Sequence, residues 1–139
     1  MLLMPYVILN QNGIWSKKVS LNTTKIKISE MLLKVAGSFI HMVEDIEQKQ
    51  EQLNCAASAW NIACLKLENR DSAIKKYMDE YKRLNPTFSE SDFKDAEENL
   101  HLLIKQKNKL YPDFHKQILN AVIREIDGKD HVTVVSVKM

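Results

Sequence analysis

Between residues 29 and 68 the apolar positions keep a 4-3 spacing: Leu32, Ala36, Phe39, Val43, Ile46, Leu53, Ala57, Trp60, Cys64 and Leu67, interrupted only at Gln50. A repeat of about five heptads is the signature of a helical seam that leans on other helices. No proline falls between Pro5 and Pro86, and Gly37 is the only glycine inside the seam. The pattern therefore predicts one long helix, or two nearly collinear ones, capped at Ser29, with the polar run from Glu47 to Gln52 as the place for a kink. A lone polar residue in such a seam, here Gln50, sets register rather than performing chemistry.

Further helices follow in the pattern. Asn69 or Asp71 caps one that carries Ala73, Ile74, Tyr77, Met78, Tyr81 and Leu84 on one face and stops at Asn85-Pro86, because the residue before a proline disfavours helix. Ser89 or Ser91 opens the next, and Asp92 stands three residues after Ser89 as in a capping box. Its apolar face is Phe93, Ala96, Leu100, Leu103, Ile104 and Leu110, with Lys105, Lys107 and Lys109 near the negative end of the helix dipole. After Pro112 the positions Phe114, Ile118, Ala121, Val122 and Ile126 predict a last helix, stopped by Gly128.

Only the two ends look β-like. Asn12-Gly13 between apolar runs gives the lead segment a hairpin-like pattern, and the β-branched run from His131 to Val137 predicts a strand. A lone strand needs a partner for its backbone groups, so residues 129–139 are expected to pair with the lead segment or with the same strand of another copy. The expected fold is thus mainly α: an antiparallel helical bundle built on the long helix in the N-terminal half, with a short β element from the chain termini. It is divided into a lead segment over 1–28, a helical core over 29–128 and a C-terminal strand over 129–139, all in one domain.

Composition supports that picture. The chain has 139 residues, 45% of them hydrophobic and 27% charged, with three glycines and three prolines, too few for a turn-rich sandwich or barrel. Its net charge of +2 is spread evenly, so no basic patch supports a nucleic-acid partner. The apolar start lacks the cationic beginning and cleavage pattern of a signal peptide, and no run is long enough to span a bilayer, so no membrane role is expected. Cys55 and Cys64, nine apart, fall on opposite sides of a helix and cannot bridge each other, which suits a reducing cytoplasm.

Candidate chemistry is sparse. His41-x-x-Glu44 and Glu98-x-x-His101 each place a histidine and a glutamate three apart on a helix, and the second resembles the Glu-x-x-His element of di-iron bundles. That resemblance implies a divalent metal held by His41, Glu44, Glu98 and His101. The acids Glu44, Asp45, Glu47 and Glu51, with a second run from Asp92 to Glu98, are similar to those of helical pyrophosphohydrolases that hold magnesium on paired helices. Trp60, Ala73, Tyr77 and Pro86 resemble the residue types of a tetratricopeptide unit, although Ala63-Cys64 stands where Leu-Gly is wanted and no second copy follows. This likeness implies a helical hairpin. No nucleophile elbow and no glycine-rich phosphate loop is present, and the basic-aromatic stretch Lys75, Lys76, Tyr77, Tyr81, Lys82 and Arg83 is diluted by Asp79 and Glu80, which makes core tyrosines beside a solvated charged face its better account.

The seam itself carries the functional expectation. A helix of about 38 residues would be about 57 Å long, longer than a domain of this size is wide, so part of it needs a cover. The sequence therefore points to a non-catalytic protein that needs no cofactor and acts through protein-protein contact as a homodimer or on a protein partner. Phe39, Val43, Ile46, Leu53 and Trp60 would form the interface or the core beneath it. The alternative is a metal-dependent helical enzyme, and a third reading is a regulatory or toxin-neutralising protein that acts by occlusion.

Overall fold

The computed structural model describes residues 27–138, in the order α1 (Ile28–His41), α2 (Ile46–Ala63), α3 (Leu67–Leu84), α4 (Glu90–Leu110), β1 (Lys116–Ile126) and β2 (Lys129–Lys138). The fold is mainly α, but the long helix does not exist. Met42 to Asp45 separates α1 from α2, and Cys64 to Lys66 separates α2 from α3. The first break is made by Asp45, whose carboxylate accepts from the Glu47 backbone N–H at 2.8 Å and so starts a new helix, the competition with the backbone that makes aspartate a cap. The second is closed by Arg70, whose guanidinium donates to the carbonyls of Ala63 and Leu65 at the end of α2. Residues that share one stripe in sequence thereby come to face each other across the core.

Ser29 does not cap α1, which begins at Ile28, and α3 begins at Leu67, earlier than Asn69 or Asp71. The α4 start is as the sequence predicts: Ser89 and Asp92 form a capping box, each side chain accepting from the other's backbone N–H.

The β element also differs from expectation. The strand expected over 129–139 is β2, but its partner among the described residues is 116–126, which is a strand rather than a last helix; pairing with the lead segment lies outside the described residues. β1 and β2 form an antiparallel hairpin joined by Asp127-Gly128. Both turn residues have positive φ, 53° and 75°, as a type I′ turn requires, and Asp-Gly supplies it at low steric cost. A bulge at Leu119 interrupts the register between Ile118 and Asn120. Before it the core-facing side chain is Ile118; after it they are Ala121 and Ile123. One extra residue thus turns a period of two into a step of three. The hairpin-like reading of the lead segment lies outside the described residues.

The core surrounds α2. This helix packs against α1, α4, β1 and α3, and from Leu53 to Cys64 every residue except Cys55 is buried. Small side chains allow neighbours on all sides, hence the Ala-Ala-Ser-Ala run at 56–59, with Trp60 as the largest buried group of the helix. Leu32, Val35, Ala36 and Ile40 of α1, Leu100 and Leu103 of α4, and Ile118, Ala121 and Ile123 of β1 complete the cluster.

Candidate functional site

Two features stand out from this scaffold: the way α2 occupies one edge of the hairpin, and a cleft where α2, α3 and α4 diverge. On the edge, Gln50 donates to the Ala121 carbonyl at 2.8 Å and accepts from the Ile123 N–H at 3.0 Å. Asn61 does the same at Ile118, donating to its carbonyl at 2.8 Å and accepting from its N–H at 2.7 Å. Trp60 Nε1 adds a bond to the Lys116 carbonyl at 2.8 Å. Gln50 and Asn61 are eleven residues apart, three helical turns, so they lie on one face about 16 Å from each other, and five strand residues cover a similar length. The helix side chains thus stand where a third strand would be and bond outer backbone groups of β1 at Lys116, Ile118, Ala121 and Ile123.

The opposite edge is different. Because Gln50 and Asn61 reach Ile118, Ala121 and Ile123 from the side away from β2, these residues make no ladder bonds to their partners Ser136, Val134 and Val132. Those three residues therefore turn their own N–H and C=O groups away from β1; no strand pairs with them among the described residues, Val132 and Val134 are half-buried, and Ser136 is buried, with α1 packed against β2. At the turn end Asp130 is held by Lys49 of α2 at 2.9 Å, both side chains partly buried. The outer face of the hairpin carries half-buried Val122, Val135 and Val137.

The sequence-predicted interface residues are dispersed. Leu53 and Trp60 are fully buried and belong to the core beneath any interface. Phe39 and Ile46 are half-buried against that core, and Val43 borders the cleft. The four candidate metal ligands are not gathered: among the described residues no group of three or more His, Cys, Asp and Glu side chains is arranged to hold an ion. His41 and Glu44 are exposed at the end of α1 and in the following loop, and His101 faces Glu97 at 3.7 Å rather than Glu98. Trp60, the residue behind the tetratricopeptide likeness, packs on Tyr111 and Phe114 beyond α4. Tyr77 is buried, Tyr81 is half-buried, and the neighbouring cations are solvated, Lys75 paired with Asp79 and Arg83 with Glu80.

Lys107 is a residue the sequence reading misplaced. Lys105 and Lys109 are exposed, but Lys107 is fully buried, donating to the Phe114 carbonyl at 2.7 Å with its Nζ 5.2 Å from the centre of a Trp60 ring. Burial lowers its pKa, opposed first by the neighbouring Cys64, whose thiol burial raises. The signal was present: position 107 continues the 100, 103, 104 stripe of α4.

The cleft has a volume of about 220 Å³. α2 contributes Glu51 and Cys55, α3 contributes Tyr77 and Tyr81, and Phe88 and Asn99 close it from the α4 side. Tyr77 and Tyr81 stack at 6.3 Å, and Phe88 meets Tyr81 edge-on at 6.1 Å. Burial raises the Tyr81 phenol to about 12, helped by the negative charges of Cys55, Glu51 and Asp92. Burial also pushes the Cys55 thiol up to about 11, with the Tyr77 hydroxyl opposing.

That thiol makes stability pH-dependent. The fold keeps the protonated form, so the contribution is complete below the unfolded thiol's value near 9 and is lost as the pH rises through about 11. The two-unit difference corresponds to about 2–3 kcal/mol at most. Urea unfolding at pH 8 and pH 11 should show that decline, and Cys55→Ala should make it shallower, the remainder belonging to the raised Tyr77 and Tyr81 phenols; an equally steep decline in the variant would assign the whole loss to the tyrosines.

No family model, curated protein or solved structure matches the chain. Among the described residues no helix is long and apolar enough to cross a membrane.

Proposed function

We propose that this protein acts without catalysis, through protein-protein association, and that its partner is a second copy joined along β2. The observation that carries this reading is the asymmetry of the hairpin: α2 side chains occupy the outer backbone of β1, whereas that of β2 faces outward at half-buried Val132 and Val134 with no strand on it among the described residues. An edge of this kind is a template for another strand.

The edge is also complementary to itself. In an antiparallel pair centred on Val134, Val132 stands opposite Ser136 of the second copy and Asp130 opposite its Lys138, twice over by symmetry. Opposite charges at both ends favour that register, and Lys49 already fixes the Asp130 carboxylate in place. The result is a four-stranded sheet whose outer face brings the valines of both hairpins together. The unbridged thiols Cys55 and Cys64 fit a reducing compartment, so we assign the protein to the cytoplasm.

Sedimentation equilibrium at tens of micromolar should give a dimer. Val134→Pro removes the central outward N–H while leaving the bonds to β1 in place, since proline is tolerated on an edge strand, and should give a folded monomer. Lys138→Glu should weaken the dimer about tenfold through like-charge contact with Asp130. A wild-type chain that remains monomeric at 100 micromolar would overturn the reading.

A further inference from the structure

Residues 67–99, which comprise α3, the link to α4 and the first turns of α4, are packed differently from the rest of the molecule. In this stretch only Tyr77, Met78 and Asn85 are buried, whereas α2 is buried from Leu53 to Cys64 apart from Cys55. α4 becomes buried only from Leu100 onward, at Leu100, Leu103, Ile104 and Lys107. The stretch therefore stands off the core as a helical arm.

Its cohesion is internal. Tyr77 stacks on Tyr81, and Phe88 and Phe93 each meet Tyr81 edge-on at 6.1 Å, so that four rings of the arm pack on one another. The Lys82 ammonium lies 5.7 Å from the centre of the Phe93 ring, and the Asn85 amide donates to the Tyr81 carbonyl at 2.9 Å. Attachment to the remainder is thinner. Arg70 ties the arm to the end of α2, the Tyr77 hydroxyl meets the Cys55 thiol, and Ala73, Ile74 and Ala96 touch the core while half-buried. The cost of opening a segment follows the apolar surface it buries against its neighbours, so a segment with its own cluster and a thin attachment opens before the core does.

We propose that residues 67–99 open as one cooperative unit while α1, α2, the rest of α4 and the hairpin stay folded, uncovering the side of α2 that carries Cys55. A lone helix the length of α3, 18 residues, is marginal in water, so the opened arm melts and its amides exchange with solvent. The fold thereby gains a surface on α2 that it can present and withdraw without unfolding.

The test is native-state hydrogen exchange of the intact wild-type chain in rising urea, below the unfolding transition. Without urea, the amides of Tyr77, Met78 and Lys82 should be about a hundredfold less protected than those of Ala57 and Ile62. As urea rises they should converge on one isotherm with a slope well below that of global unfolding. Ile123→Val, a conservative change in β1 outside the arm, should lower the protection of the α2 amides about fivefold and leave that of the arm unchanged, because arm opening breaks no contact of Ile123. Three results would each overturn the proposal: arm and α2 amides that merge at every urea concentration, urea-independent exchange that differs from amide to amide along the arm, or an Ile123→Val effect of equal size in both. None of them involves β2, so the dimer reading stands or falls separately.

Discussion

Trp60→Ala should destabilise the fold by about 4–5 kcal/mol, the upper range for removing a buried aromatic ring. Trp60 is fully buried at the point where α2, the α4 end and the start of β1 converge. Its loss would leave a cavity lined by Tyr111 and Phe114, remove the bond to the Lys116 carbonyl and strip the ring from beside the Lys107 Nζ. Because Lys107 is itself buried, it would lose a favourable contact without gaining water, and this is why the effect should sit at the top of the range. Trp60→Phe keeps most of the volume and forfeits the indole N–H, so about 1–2 kcal/mol is expected. Urea unfolding of both variants measures the two values; a Trp60→Ala loss below 2 kcal/mol would show that the tryptophan is not the keystone of this junction.

Asn61→Ala should cost about 3–4 kcal/mol, more than any truncation of so small a side chain would cost on hydrophobic grounds. Its amide satisfies both backbone groups of Ile118 in a site that water does not reach, and orphaning a buried donor and a buried acceptor carries about 1–3 kcal/mol each. Gln50→Ala should cost less, about 1–2 kcal/mol, because Ala121 and Ile123 are reached by a part-buried side chain that water can replace. The distinguishing measurement is amide hydrogen exchange: the Ile118 amide should lose protection in Asn61→Ala while the ladder amides of β2 change little. Uniform loss along both strands would mean that Asn61 supports the core rather than the strand edge.

How much of this was legible in advance depends on how local each feature is. The helix stop at Asn85-Pro86 and the start at Ser89 were readable because proline sterics and a capping box act within four residues. Gln50 was read as a register-setting residue, and it does hold register, though between a helix and a strand rather than between helices. The Asp127-Gly128 turn is a strong hairpin signal, yet the apolar spacing before it makes Gly128 read as a helix stop. What obscured it was the Leu119 bulge, which spaces Ile118, Ala121 and Val122 as a helix face would.

The seam failed for a related reason. A 4-3 spacing records which residues are buried together, not whether the helix that carries them is continuous. Leu32 and Ala36 of α1 and Leu53 and Trp60 of α2 do share one core, but they reach it because the chain breaks at Asp45 and doubles back. The candidate metal ligands could not be judged from spacing at all, since ligation needs side chains from different elements to converge, and convergence is set by packing.

The sequence by itself determined the local choices: which stretches are helical through α4, where α3 stops and α4 starts, and that residues 132–137 are extended, because capping, proline sterics and β-branching act over one or two turns. Only the tertiary structure decided that residues 116–126 are a strand, that Lys107 is buried, and that Gln50 and Asn61 stand in for a missing third strand. Those outcomes depend on burying α2 on all sides at once, and an isolated segment carries no information about what will surround it.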